Sequence, residues 1–122
     1  VLFDCSHVLS WSMGRTGMRL VVNTDRRLEW QCLDNNAVVG SVVSPKVELP
    51  PGRDTAVALS WAGSTIALYE GGRELVRTRG CPIPGRLGRH FFIGSDSRGE
   101  GTFDGWIRQV NIALVPKPAS AE

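Results

Sequence analysis

The stretch FFIGSDSRGEGTFDGWIRQVNIA (Phe91–Ala113) gathers carboxylates, hydroxyls and glycines between two apolar ends. Residues of these types can ligate a hard cation or cradle a phosphate, so both chemistries must be tested against spacing. An EF-hand loop needs oxygen ligands at alternate positions after an acidic start, and ends in glutamate. Asp96-Ser97-Arg98-Gly99 puts a guanidinium at the third position, which excludes that motif. A phosphate cradle needs the GxGxxG pattern and a helix whose N-terminus faces the anion. Gly99-Glu100-Gly101 meets neither requirement, and turns or a bulge account for these glycines better. Ser, His and Asp all occur, but no GxSxG nucleophile elbow does. Cys5, Cys32 and Cys81 form no CxxC pair, and His7 and His90 lie far apart, so no four-ligand zinc set is assembled. Buried free thiols are the reading for the cysteines, with one disulfide and a spare thiol as the alternative.

The elements that must position these residues are strands. At 122 residues the chain makes one domain with a real core. A net charge of +2 is too small to imply nucleic acid, and no apolar run approaches the ~20 residues of a membrane helix. The chain starts at Val1, so it reads as processed or excised from a longer polypeptide. No segment sustains a helical period. Gly63-Ser64 suits a II′ turn and Gly71-Gly72 a I′ turn, which makes a double hairpin between Thr55 and Arg79. Those loops set Leu59 opposite Leu68 and Leu68 opposite Leu75. Val57, Leu59, Trp61, Ile66, Leu68 and Leu75 then share a core face. The other face carries Ala56, Ala58, Ser60, Ala67, Tyr69, Glu74 and Val76, a small and mixed set suited to light cover or a groove.

A second hairpin spans Met18 to Leu33. Its three-residue loop, Thr24-Asp25-Arg26, pairs Met18 with Cys32, Leu20 with Trp30 and Val22 with Leu28. Arg19, Val21, Asn23, Arg27, Glu29 and Gln31 fall on the opposite face, the alternation of a sheet wet on one side. Further strands are expected at Val1–Cys5, Ala37–Val43, Val47–Leu49, His90–Ile93 and Gly105–Leu114. Asp34-Asn35-Asn36, Ser44-Pro45, Pro50-Pro51-Gly52 and Cys81–Gly88 read as breaks between them. Eight or nine short strands without helices give an antiparallel sandwich or barrel. Residues 116–122 read as a tail or linker.

Three stretches resemble the laminin-G-like branch of the concanavalin A-like jelly rolls, which includes the pentraxin-like lectin modules. AVALSWAGSTIALYEGGREL (Ala56–Leu75) is similar to the family's strand, dipeptide turn, LYxxG strand and following hairpin. FFIGSD (Phe91–Asp96) resembles its xIG strand. GTFDGWIRQVNIAL (Gly101–Leu114) resembles its closing strand through Phe103, Gly105, Ile107, Val110 and Ile112. The match covers residues 1–115 and is specific over 55–114. It implies an all-β, antiparallel jelly-roll β-sandwich. Family members begin with a strand or two before the LFD position, and this chain has none. The domain is thus a minimal version, or those strands are removed or supplied by another segment. An open edge of that kind calls for a homo-oligomer mate or a neighbouring domain.

The resemblance also shapes the candidate sites. Many lectin-like relatives bind calcium through loop oxygens, which makes Asp4, Asp96, Glu100 and Asp104 candidate ligands and Ca2+ the candidate cofactor; solvated turn residues are the plain alternative. Related glucanases carry two carboxylates on one strand face, about 5 Å apart for retaining hydrolysis. Here the nearest pair, Glu29 and Asp34, is five residues apart and so faces oppositely, and no catalytic residues are expected. Sugar binding uses exposed aromatic faces with planar polar groups reading the hydroxyls. Trp11, in the polar loop SHVLSWSMGRTG, is the best-placed aromatic, with Trp106 and Tyr69 next and Arg98 as a polar contact; Trp30 and Trp61 fall on core faces. Each could instead anchor structure. Arg73, Arg77, Arg79, Arg86, Arg89 and His90 form a local basic excess, partly offset by Glu70 and Glu74, and read as a solvated strand face, with a contact for acidic glycans or an acidic partner surface as the alternative.

The expectation is a noncatalytic recognition module, secreted or on a cell surface, whose partner is a glycan or a surface protein. A structural or protein-interaction domain without a glycan site is the main alternative. An accessory domain of a glycosidase or sialidase is the third. Neither nucleic-acid binding nor membrane insertion is expected.

Overall fold

Where apolar and polar residues alternate between tight turns, the chain forms strands. A computed structural model describes residues 1–4, 7–8, 15–49, 52–82, 92–94, 107 and 109. Nine strands lie among them: β1 (Phe3–Asp4), β2 (His7–Val8), β3 (Arg15–Val22), β4 (Arg27–Asp34), β5 (Ala37–Lys46), β6 (Val57–Ala62), β7 (Thr65–Glu70), β8 (Arg73–Thr78) and β9 (Phe92–Ile93). They build two antiparallel sheets. One runs β5-β4-β3-β1-β9 with β2 also paired to β3, and the other runs β6-β7-β8. Among the described residues there is no helix, and hence none long and apolar enough to cross a membrane. The architecture is a β-sandwich.

The β3–β4 hairpin has the expected register, with Met18 opposite Cys32, Leu20 opposite Trp30 and Val22 opposite Leu28. Its loop shows why. The Asn23 carboxamide oxygen accepts from the backbone N–H groups of Asp25 (2.9 Å) and Arg27 (3.1 Å), which folds the loop on itself. Arg26 then takes the left-handed conformation (φ 59°) that a three-residue hairpin loop requires at its last position. At the other end of β4, Asn35 and Asn36 both have positive φ and close a two-residue turn into β5.

The core lies between the sheets. Met18, Leu20, Leu28, Trp30, Cys32 and Val42 of the larger sheet pack with Val47, Ile66, Leu68 and Cys81. Fully burying a side chain of Leu or Ile size contributes roughly 1.5–3 kcal/mol, so this cluster dominates stability. Trp30 has no exposed surface, and its indole N–H donates to the Met18 sulfur at 3.3 Å, which keeps that buried donor satisfied. Cys32 and Cys81 are both buried free thiols, and Cys5 lies outside the described residues.

The β6–β7–β8 meander keeps Leu59 opposite Leu68, as expected, but changes register beyond it. An irregularity at Leu68/Tyr69 sets Leu68 opposite Val76 instead of Leu75. The extra residue lets Leu75 and Val76 both pack against the core, so Val76 leaves the face that simple alternation assigns to it. The outer face is also less open than expected: Ala67 and Tyr69 are 1% and 5% exposed.

Three other expectations change. Ser44-Pro45 does not break the chain, because β5 continues through it to Lys46. The Ser44 hydroxyl accepts from Leu28 N (2.9 Å) and donates to Pro45 O (2.7 Å), and the pairing shifts there, so a residue lacking an N–H is accommodated at an irregularity. Val47–Leu49 forms no strand; Val47 is anchored instead by a 2.7 Å bond from its N–H to Arg26 O. The segment read as a polar loop before Met18 contains strand pairing, with His7 opposite Thr16 and Val8 opposite Arg15. Of the expected Val1–Cys5, Phe3–Asp4 forms β1 and Cys5 lies outside the described residues; of His90–Ile93, Phe92–Ile93 forms β9 and His90 and Phe91 lie outside the described residues. Of Gly105–Leu114, only Ile107 and Gln109 are described.

The sheets meet closely where Gly40 of β5 faces Pro82. A Cβ built on Gly40 would lie 2.5 Å from Pro82 Cγ and 2.7 Å from Cδ, so the ring occupies the space a side chain needs. Gly40→Ala is expected to destabilise the fold by about 1–3 kcal/mol through overpacking, measured by urea unfolding. An unchanged midpoint would show that Pro82 can retreat. The Cys32 thiol supplies a second prediction. Burial raises its pKa, and the Asp34 carboxylate raises it further. The folded state therefore holds this proton more tightly than the unfolded chain. Its contribution is complete below the ordinary thiol range and is lost as pH rises through the raised folded value. Stability should fall along the alkaline limb, and the limb should be shallower in Cys32→Ala.

Candidate functional site

The hairpin register that buries Leu28, Trp30 and Cys32 puts their neighbours on the outer face of the large sheet. Arg19 stands opposite Gln31, and Gln31 opposite Ser41; Val21 stands opposite Glu29, and Glu29 opposite Val43. These two rows bring planar polar side chains into one ladder. Arg19 Nε donates to Gln31 Oε1 at 2.6 Å, Gln31 Nε2 donates to Glu29 Oε2 at 2.6 Å, and Asn23 Nδ2 donates to Glu29 Oε1 at 3.1 Å. Each member orients the next, beginning at the Asn23 loop that also sets the register.

Arg19, Val21, Asn23, Glu29 and Gln31 are half-buried, whereas Ser41 and Val43 are exposed. The same face closes at two places. Asp4, which stands opposite Arg19 on β1, has no exposed surface, and Leu33 is only 4% exposed. The face is therefore not uniformly wet, as the alternation pattern implied; it is closed beside Arg19 and open toward β5. Among the described residues, the two terminal guanidinium nitrogens of Arg19 make no hydrogen bond, because the bond to Gln31 uses Nε. Each Glu29 oxygen accepts one amide hydrogen and keeps capacity for another donor. The arrangement presents oriented donors and acceptors side by side, which is binding chemistry.

The expected site residues fall differently. Trp11, Arg98, Trp106, Asp96, Glu100 and Asp104 lie outside the described residues. Tyr69 lies in the small sheet and is 5% exposed, with its hydroxyl accepting from Arg77 Nη2 at 3.0 Å. Its ring face is thus not offered to a ligand. Asp4 lies in the other sheet, and the two are not brought together. Among the described residues, no three His, Cys, Asp or Glu side chains gather closely enough to hold a metal ion. Glu29 and Asp34 sit at alternate parities of β4, with Glu29 in the ladder and Asp34 exposed at the turn.

Two cations of the basic stretch are locally paired. Arg77 Nε bonds Glu74 Oε1 at 2.5 Å, and Arg73 Nη2 lies 3.8 Å from Glu70 Oε1. Such exposed pairs contribute at most about 1 kcal/mol each, but they offset the charge of β8. Arg86, Arg89 and His90 lie outside the described residues.

Sequence reasoning placed Arg19, Asn23, Glu29 and Gln31 on one face but gave them no role beyond solvation. The available signal was the register itself, which puts a guanidinium opposite an amide and a carboxylate one row away. Comparison of the chain with protein-family models, with curated proteins and with solved structures gives no match.

Proposed function

We propose that this chain is a noncatalytic recognition module that binds carbohydrate, within a larger secreted or cell-surface protein. Its sandwich is read as a laminin-G-like jelly roll, on the three sequence stretches that resemble that family. The observation that carries the reading is the Arg19–Gln31–Glu29–Asn23 ladder, whose polar groups are held in place before any ligand arrives. Preorganised donors and acceptors avoid the ordering cost that weakens binding by flexible side chains. Calcium belongs to the proposal as a candidate cofactor, through Asp4, Asp96, Glu100 and Asp104.

A protein-interaction role is the second reading, and one observation favours it. Val38, Val39 and Val43 of β5 are 50%, 51% and 42% exposed, an apolar strip on a strand at one edge of the large sheet as described. A partner or a second copy placed along β5 would cover it.

A glycan array probed with and without Ca2+ tests the first reading. Binding to a defined set of glycans is expected, and no binding in either condition by folded protein would count decisively against it. Trp11→Ala is expected to weaken glycan binding roughly tenfold, the scale of one good contact, without unfolding the domain. Sedimentation analysis tests the second reading. A stable monomer at high concentration would remove self-pairing along β5.

A further inference from the structure

We infer that the outer-face ladder selects an uncharged sugar, one presenting neighbouring hydroxyl groups, over a sulfated or carboxylated one; this inference rests on the carbohydrate reading above. Charge and hydrogen-bond sign both favour such a ligand. Among the described residues Arg19 is the one cation in its row, and it stands between two carboxylates. Asp4 is opposite it on β1, with no exposed surface, and Glu29 is in the adjacent row through Gln31. A ligand that reaches the terminal nitrogens of Arg19 therefore meets a cation flanked by carboxylates, while the further cations of this face, Arg27 and Lys46, lie one row beyond Glu29, with Arg27 Nη1 already bonded to Ser44 O at 3.1 Å. An incoming sulfate or carboxylate would meet Glu29 as a like charge in a half-buried setting, where screening is weaker than in water.

Hydrogen-bond sign points the same way. Arg19 can only donate, and an ionised Glu29 can only accept. A hydroxyl does both, so two adjacent hydroxyls on one ring can accept from Arg19 and donate to Glu29. A sulfate or ionised carboxylate only accepts, and would leave Glu29 without a donor while desolvating it. Residues two apart on a strand face are separated by roughly 6.5–7 Å, so the two rows lie within reach of a single sugar unit. Val21 and Val43 flank Glu29 in its row and supply apolar surface for the ring's C–H groups. The Gln31 carboxamide acts as a positioning group, since it holds both Arg19 and Glu29 at once.

The test uses the whole chain on an array of neutral oligosaccharides and the same backbones carrying sialic acid or sulfate. Neutral glycans are expected to bind, with their charged counterparts weaker by about tenfold or more, and affinity should change little between low and high salt. Arg19→Gln and Glu29→Gln should each weaken neutral-glycan binding by about tenfold, while Arg73→Gln in the opposite sheet should leave it unchanged. Thermal melts verify that the variants are folded; should Arg19→Gln fail to fold, Arg19→Lys tests the loss of the fork with the charge retained. Preference for the sulfated or sialylated set, with steep loss of binding in salt, would overturn this inference and leave the carbohydrate reading standing. Neutral binding that is indifferent to the folded Arg19 and Glu29 variants would overturn it as well, by placing the ligand elsewhere. Absence of binding to every glycan by folded wild-type protein would instead remove the carbohydrate reading and this inference together.

Discussion

The register of the β3–β4 hairpin is the constraint on which the rest of the structure depends. With a side-chain period of two, a slip by one residue would carry Leu28, Trp30 and Cys32 out to solvent and bring Glu29 and Gln31 into the core. Burying those polar groups without partners would cost several kcal/mol, and exposing the apolar set would forfeit the centre of the core. The same choice of register therefore makes the core and the outer ladder. Asn23 takes part in both: its side-chain oxygen shapes the loop, and its nitrogen holds Glu29.

The two sheets handle their outer faces differently. In the small sheet, Arg77 is committed to Glu74 and to the Tyr69 hydroxyl, so its charge is used internally. In the large sheet, the chain of bonds stops at Arg19 Nε and leaves the terminal nitrogens unused by other described residues. This contrast, more than the number of charged groups on either face, separates a surface that is merely solvated from one with capacity left for a ligand.

Much of this was legible in the residues. The Asn23–Arg27 loop and the Gly-Ser and Gly-Gly turns specify hairpins locally, so the pairs Met18–Cys32, Leu20–Trp30 and Leu59–Leu68 followed from loop length alone. Irregularities were not legible, because a bulge is settled by packing across the sandwich. Leu75 and Val76 can both reach the core only when an extra residue is accommodated, and local sequence does not reveal that opportunity. Pro45 misled for a related reason: a proline ends a regular strand, but here the Ser44 hydroxyl takes up the bond from Leu28 that an uninterrupted ladder would have formed. The ladder was half legible. Register placed its members on one face, but the bonds among them depend on side-chain geometry, and composition had drawn notice to the acid-rich loop instead.

The contact of Gly40 with Pro82 has a kinetic consequence. Strands β3 to β5 and strands β6 to β8 are two meanders, each closed by loops of two or three residues, so each can form from local contacts. Joining them requires positions far apart in the chain to meet, and the proline ring must then settle against a backbone with no side chain. The ring lies where a side chain on Gly40 would stand, so this contact favours one alignment of the two meanders. The bare backbone at Gly40 thus helps to specify how the two meanders are joined, since any side chain there would have to displace the ring.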